Sequence, residues 1–204
     1  PDESGHISYM NPVSGATEEL IGKTPLQIRN LGVRLSFVPE DRLGMGLVGN
    51  MDVADNMMLR SYRSGISMFT NRKAPKALAE QIIDQLKIIT PGVSTPVRRL
   101  SGGNVQKVLV GREIACSPTV LMAAYPVRGL DINSSYMIYN LLNDQKKAGV
   151  AVVYVGEDLD VLVDLCDRIA VICGGRISAI LDGRKTTKEE VGYYMMKHGQ
   201  EDAI

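Results

Sequence analysis

Three short apolar runs in the second half of the chain restrict what it can fold into. They occupy residues 119–124 (TVLMAA), 150–155 (VAVVYV) and 168–173 (RIAVIC). Continuous apolar runs of this length are typical of strands that are buried on both faces of a sheet. The stretches between them, residues 131–148 and 157–166, carry apolar residues at helical spacing. Strands and helices alternating at these distances predict an α/β fold with a parallel sheet.

The first half of the chain has a different pattern. Residues 7–10 and 33–38 have the character of strands, whereas residues 53–115 contain no convincing strand. Within the latter stretch, residues 77–89 carry apolar side chains on one helical face, and loops are expected at 61–67 and 90–96. We therefore expect a mostly helical insertion between strands of the α/β domain.

The end of the chain has its own signals. The pair Gly174-Gly175 predicts a turn that joins the third apolar run to residues 176–181 as a hairpin. From Lys188 onward, we expect a helix that packs on the body of the protein.

Composition excludes several classes of protein. The chain has 204 residues, of which 45% are hydrophobic, and 23 basic residues balance 23 acidic ones. A chain this apolar with no net charge collapses, so disorder is excluded, and bulk electrostatic binding of nucleic acid is not expected. The sequence has no apolar run of about 18 residues, so we expect no segment of it to span a bilayer.

Histidine and cysteine usage narrows the chemistry further. His6 and His198 both lie near the ends, which makes histidine catalysis a weak hypothesis. Cys116, Cys166 and Cys173 have no metal-binding spacing, so we interpret them as reduced thiols of a cytosolic protein and expect no metal site among them. Aromatic residues make up 5% of the chain, with no Trp, which disfavours a base-stacking surface.

The most specific local signal is the octapeptide LSGGNVQK at residues 100–107. Ser101 can cap a helix, and Gly102 and Gly103 let the backbone approach a ligand closely, with the helix dipole behind the following amides. Such a helix start is an anion site suited to phosphate. The same residues are equally compatible with an ordinary capped helix after a loop, and spacing alone does not choose between the two.

This octapeptide resembles the signature motif of ABC-transporter ATPases, in the form found in tandem ATPases that drive simple-sugar and nucleoside importers. Further stretches resemble that family in the same order along nearly the whole chain. They are PDESGHI at 1–7, GKTP at 22–25, FVPEDR at 37–42, PVRGLD at 126–131 and DRIAVICGGR at 167–176. Several motifs in the right order are much more specific than any one of them.

The resemblance implies a fold and a set of domains. It implies a RecA-like P-loop NTPase core, here lacking the P-loop strand and helix, with a helical signature subdomain. On this basis, residues 1–49 and 117–204 are predicted to form the α/β core, and residues 50–116 the helical subdomain. This matches the stretch without strands that the pattern alone predicts.

The resemblance also implies roles for particular residues. In the family, two ATPase halves enclose each nucleotide, and one half contributes its signature motif to the site of the other. The predicted nucleotide-binding residues that act in trans are Ser101, Gly102, Gly103, Asn104 and Gln106. The predicted D-loop comprises Gly129, Leu130 and Asp131, and the predicted permease-coupling residues are Glu40, Asp41 and Arg42.

The phosphate loop expected of this family is not found in the sequence. A Walker A loop has the pattern GxxxxGK[ST] after a buried strand, and only Gly22-Lys23-Thr24 resembles it. Thr17 stands where its first glycine would fall, and Glu18 and Glu19 would repel phosphate. The family's order places the P-loop just before Pro1. We therefore expect the chain to be a fragment that begins after its P-loop helix.

The family's catalytic positions are also altered. Ala124 stands where the family has the Asp that helps to hold Mg²⁺, and Tyr125 stands where it has the catalytic Glu. A Tyr side chain, with an ordinary pKa near 10, is a poor base at neutral pH. Glu157 replaces the switch histidine, and Glu40 replaces the glutamine that faces Mg²⁺ and the permease. These changes leave an intact signature beside a degenerate site.

The resulting hypothesis is that the chain is the C-terminal ATPase half of an importer for simple sugars or nucleosides. Such a half would work with the N-terminal ATPase half and the permease, cytoplasmic and peripheral to the membrane. ATP and Mg²⁺ are expected in the full assembly, with neither bound tightly to this chain, and this chain alone is not expected to hydrolyse ATP. We expect an exposed apolar groove of Val120, Met122, Val152 and Tyr154 to be covered either by self-association or by a rearranged sheet.

Two other hypotheses remain open at the level of the sequence. One is a structural or regulatory module that binds a permease or a partner ATPase without touching nucleotide, although retention of the signature disfavours it. The other is a soluble ABC ATPase of translation or DNA repair, which the FVPEDR and PVRGLD stretches and the neutral charge disfavour.

Overall fold

The computed structural model describes residues 5–11, 14–61 and 72–196. Its strands are β1 (Ser8–Met10), β2 (Thr17–Glu19), β3 (Leu35–Val38), β4 (Val120–Ala124), β5 (Ala151–Val155), β6 (Arg168–Cys173) and β7 (Arg176–Asp182). Its α-helices are α1 (Pro25–Asn30), α2 (Val53–Met58), α3 (Lys73–Gln85), α4 (Gly102–Ala115), α5 (Ile132–Lys147), α6 (Leu159–Leu165) and α7 (Lys188–Met196). A π-helical turn at Arg42–Gly46 and a 3₁₀ turn at Val97–Arg99 complete the set. Most of the predicted loop at 61–67 lies outside the described residues.

The centre of the fold is a parallel sheet in the order β3-β4-β5. Leu35 of β3 pairs with Val120 of β4, which pairs in turn with Ala151 of β5. Helices α2, α3 and α4 lie between β3 and β4 in the chain, and α5 lies between β4 and β5. This arrangement confirms the predicted α/β fold with its parallel sheet.

Helices cover one face of this sheet. Val38, Leu121 and Ala123 are buried on that face in one hydrophobic core with Leu109 of α4 and Ile138 of α5. The same core contains residues of α2 and α3, so it joins the helical stretch to the sheet. Between residues 50 and 116, the described elements are helices and turns together with one isolated bridge, Asp52 to Pro96. The three-domain division stays a prediction.

The opposite face of the sheet is open, so the predicted burial on both faces is wrong here. Its side chains come from alternate positions of the three strands: Leu35, Phe37, Val120, Met122, Val153 and Val155. Phe37 is 41% exposed and Val153 is 42% exposed. The predicted groove is therefore correct for Val120 and Met122, which lie on the open face. It is wrong for Val152 and Tyr154, which point to the helical face. Successive side chains of a strand point to opposite faces.

The strands β6 and β7 form a separate antiparallel hairpin. The predicted hairpin is confirmed, and a second, smaller core forms where Ile169 and Val171 pack against Val191 of α7. Within the described residues, no ladder joins β6 to β5. A cleft of about 210 Å³ lies in this region, and Val152, Tyr154, Cys166 and Arg168 are among its lining residues. No helix in the described ranges is both long and apolar enough to cross a membrane.

Helix α4 is buried on almost every side. Nine of its fourteen residues are buried, and they include Gln106, Arg112 and Glu113. Gly111 allows α3 to approach closely, because a Cβ atom there would lie 2.6 Å from the Cγ2 atom of Ile82. The buried polar side chains of such a helix cannot reach water, so each of them needs a partner inside the protein.

A buried ion pair supplies some of those partners. Arg112 Nη2 lies 2.8 Å from Glu113 Oε1, and both side chains are almost fully buried. Arg112 also donates to the carbonyl of Gly46 at 2.7 Å. The Glu113 carboxylate accepts a 3.3 Å hydrogen bond from the Phe37 amide and lies 3.4 Å from Arg60 Nη2. These bonds fix α4 against β3 and the π-helical turn.

We predict that Glu113→Gln lowers the free energy of unfolding by about 3 kcal/mol, because it leaves Arg112 as a buried charge without its counter-ion. Urea unfolding of the purified chain measures this. The matched control is Glu80→Gln on the exposed surface of α3, where the 3.9 Å contact with Lys76 is worth no more than about 0.5 kcal/mol. Equal losses for the two variants would contradict the prediction.

The open face of the sheet predicts self-association of the isolated chain, since exposed apolar patches of this kind are seldom left bare. The double variant Phe37→Thr, Val153→Thr keeps strand propensity and removes apolar surface, so it should shift the chain towards monomer. Sedimentation equilibrium measures the shift. Ile132→Thr, at a 74% exposed position on α5, is the control and should leave the association unchanged. A wild-type chain that stays monomeric at all concentrations would contradict the prediction.

Candidate functional site

The carboxyl ends of β3, β4 and β5 meet at one edge of the parallel sheet. Glu40 follows β3, Ala124 ends β4 with Tyr125 directly after it, and Glu157 follows β5. In open α/β sheets, ligands bind at this edge. The structure thus places the four altered family positions at one edge of the sheet, although only Ala124 and Tyr125 are neighbours in sequence.

Tyr125 is held in an unusual backbone conformation. Its φ angle is +47°, in the left-handed region that non-glycine residues seldom adopt. Its amide donates a 2.8 Å hydrogen bond to the carbonyl of Val155, at the end of β5. The guanidinium carbon of Arg128 lies 5.9 Å from the centre of the Tyr125 ring, within range of a cation–π interaction.

The carboxylate of Glu40 forms an ion pair with the guanidinium of Arg128. Mg²⁺ requires oxygen ligands, which are usually carboxylates and phosphates. The methyl group of Ala124 supplies none, and the carboxylate of Glu40 already faces a cation. The described ranges contain no cluster of three or more His, Cys, Asp or Glu side chains that could hold a metal. The residues present at this edge therefore do not fit a Mg²⁺ site of the chain's own.

The predicted signature residues form the start of α4. Ser101 is the N-cap of that helix, and its hydroxyl accepts a 3.4 Å hydrogen bond from the Asn104 amide. Ser101 and Gly102 are exposed, and Gly103 is half-buried. An exposed hydroxyl and free amides at the positive end of a fourteen-residue helix fit a phosphate group.

Asn104 and Gln106 point inward instead. The Asn104 amide nitrogen Nδ2 donates to Ser101 Oγ at 2.9 Å, and its Oδ1 accepts from the Ile89 amide at 3.0 Å. Gln106 is fully buried, and its Oε1 accepts a 2.7 Å hydrogen bond from Arg42 Nε. Their predicted contact with nucleotide stays a prediction. In this structure, Asn104 orients the Ser101 hydroxyl.

The predicted D-loop residue Asp131 lies beside the signature. A Cβ atom on Gly103 would lie 3.0 Å from Ser134 Oγ and 3.7 Å from Asp131 Oδ2, so Gly103 permits this close approach. Asp131 caps α5 and accepts hydrogen bonds from the Ser134 amide and hydroxyl, at 2.9 and 2.7 Å. These hydrogen bonds hold the pKa of Asp131 below its ordinary value, which keeps it ionised. Gly129 and Leu130 connect Arg128 to this cap.

The predicted coupling residues form the start of the π-helical turn. Asp41 is its N-cap and accepts a 2.8 Å hydrogen bond from the Gly44 amide. The turn and the residues after it present Leu43, Met45, Val48 and Met51 to solvent. Met57, by contrast, belongs to the buried core, with 1% exposure.

The Gly22-Lys23-Thr24 stretch lacks the buried parallel strand and the long helix that flank a phosphate loop. It follows β2, a three-residue strand of an antiparallel hairpin with β1, and not a buried parallel strand. Lys23 Nζ lies 3.8 Å from the carboxylate of Glu18. Thr24 caps α1, which has only six residues. This agrees with the expectation from the sequence.

Sequence reasoning missed the polar groups that connect these parts. Arg42 donates to Gln106 and to the backbone carbonyl of Arg128, and Arg128 pairs with Glu40. A signal for them is present in the sequence of α4, where Val105, Val110 and Ile114 lie on different sides of the helix and leave no wholly polar face. The partners themselves are more than 60 residues apart, which no local pattern can show.

No protein-family model matches the chain. It is 34% identical over 215 residues to the guanosine import ATP-binding protein NupO of Bacillus subtilis, across 99% of this chain and 42% of that protein. It is 40% identical over 157 residues to the xylose import ATP-binding protein XylG of Moorella thermoacetica, across 77% of this chain and 31% of that protein. The chain thus spans less than half the length of these relatives.

The galactose/methyl galactoside import ATP-binding protein MglA of Escherichia coli is 31% identical over 159 residues, or 76% of this chain and 31% of that protein. Among solved structures, the ATP-binding cassette MJ0796, as a dimer bound to ADP and Pi, has a TM-score of 0.67 at 20% identity. That match covers 83% of this chain and 72% of the cassette.

The structural match shows that the chain has the fold of an ABC ATPase cassette. Together with the sequence relatives, it shows that the chain belongs to the family of ABC-transporter ATPases. Its relatives are ATP-binding proteins for the import of sugars and nucleosides. The family predicted from the signature and the accompanying motifs is thereby confirmed.

We predict that the isolated chain binds MgATP with a dissociation constant above about 1 mM, because its sheet edge lacks a metal ligand at Ala124 and its sequence lacks a P-loop. Isothermal titration calorimetry measures this. An ABC ATPase half with an intact P-loop, titrated under the same conditions, is the positive control. Micromolar binding to the isolated chain would contradict the prediction.

Proposed function

We propose that this chain is the C-terminal ATPase half of an ABC importer for simple sugars or nucleosides, and that it donates its signature to the nucleotide site of the N-terminal half. The observation that carries the proposal is the asymmetry between two parts of the molecule. The signature start is exposed at Ser101 and Gly102 and suited to phosphate, whereas the chain's own sheet edge has Ala124 and an ion-paired Glu40.

The signature would act on a nucleotide held by the other half. ATP and Mg²⁺ in that site supply the phosphoryl group and the charge that stabilises its transfer. The Ser101 hydroxyl and the amides of Gly102 and Gly103 would donate hydrogen bonds to the γ-phosphate, supported by the dipole of α4. Asn104 Nδ2 holds the Ser101 oxygen at 2.9 Å, which orients it for this contact.

The chain's own edge would not carry out hydrolysis. Tyr125 places a phenol where the family has the carboxylate that serves as general base, so this edge lacks that base. Glu157 at the switch position would repel a γ-phosphate and could not donate a hydrogen bond to it. This chain would therefore depend on its partner half for chemistry.

The second role we propose is contact with the transmembrane permease subunits through Glu40, Asp41 and Arg42. In support of it, the π-helical turn carries exposed apolar side chains, which include Leu43 and Met45, next to these charged residues. The names of the relatives describe proteins of import systems for xylose, guanosine and galactose. A protein in this role would be cytoplasmic and attached to the inner face of the membrane through the permease.

We predict that Ser101→Arg lowers ATP hydrolysis and solute uptake by the assembled transporter at least about a hundredfold, because the new side chain fills the phosphate position and removes donors of the transition state. Tyr125→Phe should change the rate less than about twofold, because this edge has no metal ligand at Ala124. Steady-state ATPase assays in proteoliposomes measure both. Ser101→Thr keeps the cap oxygen and is the matched control for folding of α4.

Two outcomes would contradict the proposal. If Ser101→Arg retains normal turnover, the chain acts without touching nucleotide, as a structural or regulatory module. If Tyr125→Phe abolishes turnover, the chain's own edge is a working site.

A further inference from the structure

Arg42 joins two elements that meet at the signature. Its Nε lies 2.7 Å from Gln106 Oε1, on the second turn of α4. Its Nη2 donates to the backbone carbonyl of Arg128, the residue before Gly129 and Leu130 of the predicted D-loop. One guanidinium therefore links the signature helix to the D-loop by side-chain and backbone bonds.

The bond to Gln106 is partly buried, and the Gln106 side chain has few other partners. Gln106 is fully buried, and in the described ranges its Nε2 has no hydrogen-bond partner, so the bond from Arg42 to Oε1 is the one that holds this amide. A planar guanidinium can reach two acceptors in fixed directions at once, whereas a lysine ammonium cannot reproduce that fork. The geometry therefore requires arginine and not only a positive charge.

The outward side of the same π-helical turn carries apolar side chains. Leu43 and Met45, which follow Arg42, are 42% and 73% exposed. At the far end of the turn, the carbonyl of Gly46 accepts a 2.7 Å hydrogen bond from Arg112 of α4. The turn is thus fastened to α4 at both ends, by Arg42 to Gln106 and by Gly46 to Arg112, while its apolar side chains remain available to a partner.

The guanidinium of Arg42 also lies against the start of the signature. A Cβ atom on Gly102 would lie 3.5 Å from Arg42 Nη1. The exposed turn, the first turns of α4 and the segment after Arg128 therefore surround one side chain. A displacement of the turn cannot leave both bonds of Arg42 intact unless α4 and the D-loop move with it.

We propose that Arg42 is the positioning residue that makes the π-helical turn, the signature helix and the Arg128–Asp131 segment move as one unit. This inference rests on the proposed function, and it adds the means by which contact at the turn reaches the signature. A partner that presses on Leu43 and Met45 would shift the Ser101 end of α4 and the D-loop together.

The first test is amide hydrogen exchange of the full-length protein without nucleotide or permease. Arg42→Lys and Gln106→Met should each raise the exchange rates of the Arg128 and Leu130 amides, which donate to the carbonyls of Tyr125 and Val127, about tenfold, the loss of roughly one hydrogen bond. The effect of Gln106→Met is decisive, because the hydrogen-bonded connection from the Gln106 side chain to that segment runs through Arg42. Gln106→Glu keeps an acceptor for Arg42 and should retain the wild-type exchange rates.

The matched controls are Arg29→Lys and Gln81→Met, at exposed positions of α1 and α3. Both should leave the exchange of the Arg128 and Leu130 amides unchanged. If Gln106→Met also leaves it unchanged, the proposed unit does not exist and the inference is wrong. The comparison of Gln106→Met with Gln106→Glu decides the test even where Arg42→Lys folds poorly.

The second test is solute-stimulated ATP hydrolysis by the assembled transporter. Arg42→Lys should lower the stimulated kcat about tenfold and leave the KM for ATP within about twofold of wild type. The double variant with Gln106→Met should be no worse than Arg42→Lys alone, since the two residues act through one bond.

The outcomes separate this inference from the function it rests on. If Arg42→Lys alters the amide exchange but keeps normal solute-stimulated ATP hydrolysis, Arg42 has only a structural role. That result would overturn the proposed positioning role. A wild-type protein that the permease does not stimulate would overturn the proposed function instead. The exchange experiment would then still decide whether Arg42 joins the two elements.

Discussion

The burial of α4 is the constraint on which the other parts of the structure depend. This helix lies between the sheet, α3 and the π-helical turn, with nine of its fourteen residues buried. Because Gln106, Arg112 and Glu113 cannot reach solvent, each binds a group on a neighbouring element. The helix start at Ser101 is therefore placed by buried polar bonds as well as by apolar packing, and it stays exposed at the end of a rigidly held element.

The edge of the sheet shows the opposite behaviour. Its residues bond to one another and leave little for a ligand, as the Glu40–Arg128 ion pair and the Tyr125 amide bond to Val155 illustrate. A carboxylate that faces an arginine has less to gain from a metal ion than a free one. A site of this kind can be retained for its shape while the chemistry is carried by a partner, and this is the asymmetry behind the proposed function.

Arg42 and Arg128 connect these two regions. Arg42 reaches the signature helix from the outer turn, and Arg128 reaches Glu40 from the segment that leads to Asp131. Both arginines belong to stretches that the sequence identified, FVPEDR and PVRGLD, but their partners were not predictable. Each contact joins residues separated by more than 60 positions, and such pairs form only when the strands between them are in register.

The sequence by itself determined the α/β class, the parallel sheet, the hairpin and the helix that starts at Ser101, because periodicity and capping are local properties. It also identified the family, since the motifs occur in order along the chain. Only the tertiary structure decided that one face of the sheet is open, that Val153 and not Val152 lies on it, and that Gln106 is turned inward towards Arg42. An apolar run shows that a strand is suited to burial, but what covers each face depends on elements distant in sequence. A polar residue on a helix likewise has the same sequence signature whether it faces solvent or a buried guanidinium.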